Sequence, residues 1–451
     1  MSHRLVVVIV SFVVTIASAK SILSAEAVQD APPTDWVDPA TGHRVIRLSR
    51  DAGTASFYFH QEGFTAQGDK LVVSTRDGLA TIDLTTIGVK PCKIEQITQG
   101  SGRGATVGKK TRHVYYVKGG SIYATHLDTK KTHEIVKLPA GLGGASGLAV
   151  NADETLLAST GNDPKAKELN NPERQRGDSK TPRDGLAQTG KKEEKPSAKD
   201  AAPPAQGKKK FAPGGRSMVL FTINIQSGDI KRLHYATDWL NHTQFSPSDP
   251  KQILFCHEGT WDLVDRIWTI RADGTGLKKM HTRLMDREIF GHEFFSSDGK
   301  WVWYDLQTPR STNFWLAGVN LASGERIRYK LEREQWSVHY NQSPDAKHFA
   351  GDGGGPKSVA ARTLDGSALK GQGNGQWIYL FTPKDKLETI KAGNEEVKLG
   401  AFEVEKLVDM KNHNYTLEPN VRFTPDNRWV VFRSNMHGAA HVYAVEVKKA
   451  K

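Results

Sequence analysis

Short runs of apolar residues alternating with polar ones recur along most of the chain, and helical periodicity is scarce. Two of the clearest runs are "FSPSDPKQILFCHEG", followed by "RIWTIRADGTGLKKMH", and "FTPDNRWVVFRSN", followed by "HVYAVEV". Each indicates an inner strand, a turn built from Pro, Asp or Gly, an apolar strand, a loop and a third strand. The pattern predicts an all-β fold assembled from repeated antiparallel sheets.

The repeats are spaced by about 40 to 50 residues, which is typical of propeller blades. One four-stranded sheet cannot bury both of its faces, so consecutive sheets are expected to pack radially around an axis. The last repeat has three strands, and residues 43–49, "HRVIRLS", are predicted to add its outer strand. Several β-sandwich domains are the alternative, but no linker is apparent between repeats. The prediction is a seven-bladed β-propeller closed by an N-terminal strand, with blades that begin near Gln61, Ala105, Gly147, His242, His292, His339 and Asn420.

Two segments differ from the repeats of this propeller domain, which is placed at residues 34–450. Residues 1–19 combine a basic start, an apolar run and a small-residue cleavage site, which predicts a secretory signal peptide. The mature protein is therefore expected to be exported, periplasmic or secreted, with no membrane span after signal removal. Residues 163–213 are rich in Lys, Glu, Pro, Ala and Gly and predict a disordered insert within blade three. A solvated insert without function is the simpler interpretation, and contact with an anionic substrate is the other.

The 451-residue chain carries a formal net charge of +12, which favours an anionic partner. An exported protein seldom meets nucleic acid, so an acidic polysaccharide fits this charge better than nucleic acid does. The chain has two cysteines, Cys92 and Cys256, interpreted as small buried thiols with a disulfide as the alternative. No Gly-x-Ser-x-Gly motif occurs, which argues against a serine hydrolase.

Three histidines occupy the same repeat position, four residues before the serine that opens a turn. They are His242, His292 and His339, and the equivalent residues are Gln61 in blade one and Asn420 in blade seven. The first strand of each blade lines the central channel, so these side chains are expected to converge around the axis. Imidazole serves as a base near neutral pH or as a metal ligand. The alternative is that each histidine only forms a hydrogen bond with the next blade.

The chain resembles the oligogalacturonate lyases in several stretches, which are "LNHTQFSP", "FCHEGTWDLVDRIW", "GHEFF", "SVHYNQSPD" with "GDGG" at 351–354, and "FTPDNRWVVFRSN". The combination of "CHEG…DLVD" with a downstream "HEF" is specific, whereas "SPD" turns occur in many propellers. The resemblance covers the chain from Trp36 to Val447 apart from the insert. It implies a seven-bladed propeller and β-elimination on short α-1,4-linked galacturonates, assisted by bound manganese or a similar divalent ion.

The resemblance also implies roles for individual residues. His242 matches the family's catalytic base, and His292 matches the metal-binding histidine of its "HEF" motif. The other metal ligands of the family lie in a Gln-x-x-His-x-His run that here is "YTLEPN", so Tyr415 replaces glutamine while Glu418 and Asn420 replace the histidines. Glutamate and asparagine suit Mn²⁺, with Ca²⁺ or Mg²⁺ as alternatives, better than Zn²⁺. This departure leaves a second function open, a non-catalytic exported propeller that binds protein or an anionic glycan.

The chemistry explains why these residue types are needed. Elimination removes the C5 proton, which lies α to the uronate carboxylate, and expels the C4 glycosidic oxygen. A cation at the carboxylate stabilises the enolate-like state, and a neutral histidine accepts the proton. The predicted base is His242, and the predicted metal ligands are His292, Glu418 and Asn420. The residues predicted to bind the uronate oligosaccharide are Arg216, His257, Arg266 and His339.

Overall fold

The computed structural model describes residues 33–100, 102–140, 142–167, 216–369, 376–393 and 395–450. The predicted signal peptide at residues 1–19 and residues 168–213 of the predicted insert lie outside these ranges. Thr34–Lys451 forms one compact unit. Within the described ranges no helix is long and apolar enough to cross a membrane. The helices found there are short 3₁₀ turns at Pro164–Lys167, Arg333–Gln335 and Val359–Ala361, and the prediction of an all-β fold is confirmed.

Strands β1 (Asp35–Val37) and β2 (His43–Arg47) come first, and the later strands form antiparallel groups in chain order. The first group is β3 (Lys70–Thr75), β4 (Gly78–Asp83) and β5 (Ile94–Gln96). The second is β6 (Arg103–Val107), β7 (His113–Lys118), β8 (Ser121–His126) and β9 (Thr132–Lys137). The third is β10 (Gly143–Val150), β11 (Leu156–Asn162), β12 (Met218–Asn224) and β13 (Ile230–Ala236). The predicted insert therefore lies between two paired strands of the third group.

The later groups follow the same order. The fourth is β14 (Trp239–Phe245), β15 (Gln252–Glu258), β16 (Ile267–Arg271) and β17 (Lys278–Lys279). The fifth is β18 (Ile289–Phe295), β19 (Trp301–Gln307), β20 (Phe314–Asn320) and β21 (Arg326–Leu331). The sixth is β22 (Tyr340–Gln342), β23 (Phe349–Gly351), β24 (Trp377–Pro383) and β26 (Glu395–Asp409), with β25 (Glu388–Ala392) paired to β26. The seventh is β27 (Arg422–Phe423), β28 (Trp429–Ser434) and β29 (His441–Lys449).

Two further pairings connect these groups. Strands β21 and β26 pair in parallel, which joins the fifth and sixth groups into one nine-stranded sheet. Strand β2 pairs antiparallel with β29, so that Val45 lies opposite Val445 and Ile46 opposite Ala444. The sequence placed the closing strand at this position, and the pairing covers the outer edge of the last group. By hydrogen bonding the described strands form six sheets, because the fifth and sixth groups share one sheet. The division into seven blades stays a prediction.

Strand β2 also contributes to two core clusters because its neighbouring side chains point to opposite faces. Val45 packs with Ile378 and Val430, whereas Ile46 packs with Leu71 and Trp429. The N-terminal strand thereby contacts residues of the sixth and seventh groups on one face and of the first and seventh groups on the other. Both cysteines of the chain are buried and free, as the sequence predicted.

We expect Val45→Ala to lower the free energy of unfolding by about 2 kcal/mol, because it removes two buried methyl groups and leaves a cavity. Val37→Ala on the adjacent strand is the matched control, since Val37 is 50% exposed. The measurement is urea-induced unfolding followed by tryptophan fluorescence. Equal losses in the two variants would show that closure by β2 does not stabilise the fold.

Candidate active site

Residues at the repeat position that faces the predicted channel share an unusual backbone conformation, with positive φ. His242, His292 and Asn420 have φ of 52°, 51° and 55°, and Gly104 and Gly147 have φ of 58° and 67°. The first strands of the second to fifth groups also shift register at this point. A residue with positive φ in a β-bulge interrupts the alternation of side chains between the two faces of the sheet, so its side chain points in a different direction. His and Asn tolerate this backbone conformation better than most residues do. The bulge therefore aims the imidazoles of His242 and His292 into the channel.

Four histidines form one cluster, which we term the histidine cluster: His60, His242, His292 and His339. The ring centroids of His242 and His292 are 6.2 Å apart, and those of His292 and His339 are 5.0 Å apart. The ring of His60 lies 5.2 Å from that of His242. The predicted convergence of the three repeat-position histidines is thus present in the structure. Sequence reasoning missed His60, which lies next to the glutamine it had selected.

His242 is held by a buried carboxylate. Its Nδ1 lies 3.1 Å from Oε1 of Glu293, which is fully buried. An ionised carboxylate only accepts hydrogen bonds, so Nδ1 carries the proton and Nε2 carries the lone pair. The Nε2 atom faces the Tyr58 hydroxyl and Oε1 of Glu258, each at 3.5 Å. His242 is therefore oriented to accept a proton at Nε2.

His339 is held in the same way by Asp352. Its Nδ1 lies 2.8 Å from Oδ2 of Asp352, and its backbone N–H donates to Oδ1 at 2.8 Å. Its Nε2 lies 3.1 Å from the Tyr58 hydroxyl. With Nδ1 protonated, Nε2 accepts the Tyr58 proton. Tyr58 has one proton and two imidazole neighbours, so the shorter contact, to His339, leaves Nε2 of His242 free.

Burial and charge shift several pKa values in the cluster. Burial lowers the pKa of His60 and of His292 well below the usual value, with neighbouring histidines adding to the effect. Burial also acts to raise the pKa of Glu293, but the electrostatic interaction and hydrogen bond with His242, followed by the charge of Arg266, outweigh it, and the pKa is lowered. Burial, followed by nearby carboxylates, raises the pKa of Tyr58 well above its usual value. The cluster thus combines the neutral imidazoles of His60 and His292, an ionised glutamate and a protonated phenol.

The predicted metal ligands lie at the edge of this cluster. Nδ1 of His292 is buried and has no hydrogen-bond partner among the described residues. Oε2 of Glu418 lies 3.9 Å from Nε2 of His339. Oδ1 of Asn420 accepts the N–H of Phe59 at 2.9 Å and retains a second lone pair. The carboxylate nearest to Nδ1 of His292 in the described residues is that of Asp305, with Oδ2 at 4.0 Å. Imidazole nitrogen, carboxylate and amide oxygen are donor types that suit a divalent cation, and binding of one ion by His292, Glu418 and Asn420 together stays a prediction.

A second group of donor atoms, from His242, Cys256 and Glu293, falls within 4.8 Å of one another. Burial raises the pKa of Cys256 well above its usual value, so the sulfur keeps its proton. A metal binds the thiolate and not the thiol, and Glu293 already accepts from His242. The protonated thiol argues against this second set, and the set of His292, Glu418 and Asn420 stays a prediction.

The residues predicted to bind substrate have different surroundings. Arg266 is 2% exposed and its guanidinium stacks over Trp261 at 3.9 Å from the ring centroid. Arg216 stacks over Trp239 at 5.2 Å. His257 turns to His234, with the two Nε2 atoms 3.1 Å apart. The neighbouring Glu258, and not His257, approaches the histidine cluster.

A cavity opens beside His242. Trp239 lies at this cavity, so the stacked Arg216 places a positive charge near its rim. The cavity presents an oriented base, a phenol and a carboxylate to one ligand. Its lining residues are Tyr58, His60, Gln61, Gly147, Trp239, Asn241, His242, Thr243 and Glu258.

Comparisons with known proteins agree with this geometry. The chain is 26% identical over 426 residues to an oligogalacturonide lyase of Pectobacterium atrosepticum, covering 91% of this chain and 95% of the relative. It is 26% identical over 421 residues to an oligogalacturonate lyase of Dickeya dadantii, with the same coverage of 91% and 95%. Its fold matches a solved oligogalacturonate lyase in complex with manganese, with a TM-score of 0.67 and 20% identity over 92% of this chain and 96% of the other. An oligogalacturonate lyase from Vibrio parahaemolyticus matches with a TM-score of 0.65, 20% identity and the same coverage.

A family model described as oligogalacturonate lyase matches residues 205–450, which is more than half of the 451-residue chain. The matched segment contains the fourth to seventh strand groups and, with them, His242, His292, His339, Glu418 and Asn420. On this match the chain belongs to the oligogalacturonate lyase family.

Proposed function

We propose that this protein is a lyase that cleaves short oligogalacturonates by β-elimination, with His242 as the base that removes the C5 proton. The observation that carries the proposal is the hydrogen bond from His242 to the buried Glu293, which directs the Nε2 lone pair into the cavity. Membership of the oligogalacturonate lyase family and the relatives named for this activity support the same substrate. The formal positive charge of the chain fits an anionic oligosaccharide.

Glu293 has a defined part in this reaction. As the C5 proton moves to Nε2, the imidazole becomes a cation, and the Glu293 carboxylate at 3.1 Å from Nδ1 stabilises that charge. The carboxylate also fixes the tautomer in which Nε2 is the acceptor. A module that only binds glycans has no need of a buried carboxylate behind its histidine, so the arrangement favours catalysis over the binding-module alternative.

Cations near the cavity are proposed to bind the uronate carboxylate. Arg216 lies over Trp239, which lines the cavity, and Arg266 is buried behind Glu258, with Nη2 at 3.4 Å from Oε1. We propose His292, Glu418 and Asn420 as ligands of a divalent cation, with manganese preferred over calcium or magnesium. A bound cation would neutralise the substrate carboxylate and so acidify the C5 proton. The relative in complex with manganese supports this choice of metal.

The remaining proposals concern place and partners. We infer export from the signal-peptide pattern of residues 1–19. His339 is proposed to act near the substrate through its contact with Tyr58, and His257 is proposed to support the wall of the site through His234.

The direct test of the proposed function is incubation of the full chain with short oligogalacturonates and Mn²⁺, followed by the ultraviolet absorbance of the unsaturated uronate product. We expect absorbance to rise with substrate cleavage and to stop rising when a chelator is added. Binding of the oligomer without any unsaturated product would instead support the binding module.

His242→Asn is expected to lower turnover by about 10²- to 10⁴-fold, the usual contribution of a general base. Asparagine suits the left-handed backbone at this position, as Asn420 shows with φ of 55° at the equivalent point. Manganese content should not change, since His242 is not a proposed ligand. His133→Asn, at an exposed position of β9, is the matched control and should keep full turnover. Near-normal turnover of His242→Asn would assign the base to another residue.

Glu418→Gln is expected to weaken Mn²⁺ binding by at least about tenfold, because it removes a charged oxygen donor. Glu396→Gln, at an exposed glutamate of β26, is the control and should bind Mn²⁺ as the unmodified protein does. The measurement is calorimetric titration with Mn²⁺, Ca²⁺ and Zn²⁺ in the absence of substrate, and the oxygen donors should favour Mn²⁺ or Ca²⁺ over Zn²⁺. Equal affinities of the two variants would place the ion at other residues.

A further inference from the structure

We propose a further activity of this site, β-elimination from 4-linked uronates whose C5 hydrogen and O4 lie on the same face of the ring, as in glucuronate. In this reaction Tyr58 donates the proton that the leaving oxygen needs, and His242 removes the C5 proton. The inference rests on the proposed function in one respect, because it uses the same base.

The base and the proposed donor approach a ligand from one side. The Tyr58 hydroxyl lies 3.5 Å from Nε2 of His242, and both residues line the same cavity. A gap of this size does not admit a sugar ring between the two atoms. Both groups can therefore act on one substrate only if the hydrogen that is removed and the oxygen that is protonated lie on one face.

The configuration at C4 decides which uronates meet this condition. In galacturonate the C5 hydrogen and O4 lie on opposite faces of the ring, so Tyr58 cannot reach O4 while His242 reaches C5. In glucuronate the configuration at C4 is inverted, and the two lie on the same face. The pair of Tyr58 and His242 is therefore matched to the C4 epimer of the family's substrate.

The hydrogen bonds around Tyr58 prepare it for donation. Asp352 accepts the Nδ1–H of His339, and Nε2 of His339 in turn accepts the hydroxyl proton of Tyr58. These two hydrogen bonds fix the position of the phenol. A phenol also retains that proton at neutral pH. Rotation of the O–H bond from His339 to a leaving oxygen in the cavity transfers the proton without moving the ring.

Asn420 supports the same segment. Oδ1 of Asn420 accepts the N–H of Phe59, the residue after Tyr58, at 2.9 Å. Nδ2 of Asn420 donates to the backbone oxygen of Glu418 at 2.9 Å. Asn420 thus anchors the backbone that carries the proposed donor.

The proton balance closes within the pair. The C5–H bond breaks, its proton moves to Nε2 of His242, and its electron pair forms the C4–C5 double bond. The C4–O4 bond breaks with its electron pair on O4, which takes the Tyr58 proton. After the products leave, the His242 imidazolium returns its proton to the Tyr58 oxygen across 3.5 Å, and both residues regain their starting forms.

The experiment compares two matched substrates on the full chain with Mn²⁺, a β-1,4-linked oligoglucuronate and an α-1,4-linked oligogalacturonate of equal length. We expect unsaturated product from both. Tyr58→Phe should lower turnover of the oligoglucuronate by at least about 10²-fold more than turnover of the oligogalacturonate, because only the first reaction takes its proton from Tyr58. Tyr123→Phe is the control, since this hydroxyl donates to Glu134 on the second strand group.

Each other outcome decides against the inference. Cleavage of the oligogalacturonate alone by the unmodified protein overturns it and leaves the proposed function standing, and this result does not depend on how Tyr58→Phe folds. Equal losses on the two substrates in Tyr58→Phe, with an unchanged melting temperature, overturn the donor role. Product from neither substrate overturns both the inference and the proposed function.

Discussion

The active-site arrangement depends on two carboxylates that are buried away from water and hydrogen-bonded to imidazoles. Asp352 accepts from the backbone N–H and Nδ1 of His339 and from the backbone N–H of Asn420, at 2.8, 2.8 and 3.1 Å. Glu293 accepts from Nδ1 of His242 at 3.1 Å. A buried charge is costly unless it is paired, so each carboxylate strongly favours the imidazole tautomer that pairs with it. Both histidines therefore present Nε2 to the same phenol, Tyr58.

The carboxylates also connect strand groups that are distant in the chain. Asp352 follows β23 of the sixth group and binds the residue that precedes β27 of the seventh. Glu293 lies on β18 of the fifth group, and its backbone oxygen accepts from Gln244 on β14 of the fourth at 2.8 Å. The geometry of the base is thus set by the packing of neighbouring sheets, and the site needs a rigid scaffold to keep it.

The repeats of the sequence predicted the strand groups and the three repeat-position histidines because both depend on local patterns. The same reasoning selected His257 where the structure brings Glu258 to the cluster. Neighbouring side chains of a strand point to opposite faces of the sheet. An error of one residue in the predicted position therefore selects a side chain on the wrong face. Glu258 lies in the "CHEG" motif and Asp352 in "GDGG". The alternation of side chains along a strand could therefore have indicated that both carboxylates face the site. Tyr58 and His60 lie in a loop before β3 that has no strand pattern. Packing between residues distant in the chain brings Tyr58 to His242 and His339, and His60 to His242.

The β-bulge with positive φ recurs in several strand groups, yet it carries different residues on the two sides of the channel. Gly104 and Gly147 occupy the bulge in the second and third groups, and a Cβ at Gly104 would lie 2.7 Å from the Cα of Gly147. The backbones of the second and third groups approach each other so closely at Gly104 and Gly147 that a side chain there has no room. On the other side the same conformation carries His242, His292 and Asn420. Since the backbone accepts Gly, His or Asn at this point without a change of fold, an exchange among these residues alters the chemistry of the channel while the strands that hold it stay in place. Chemistry and scaffold are therefore separable at this position of the strand.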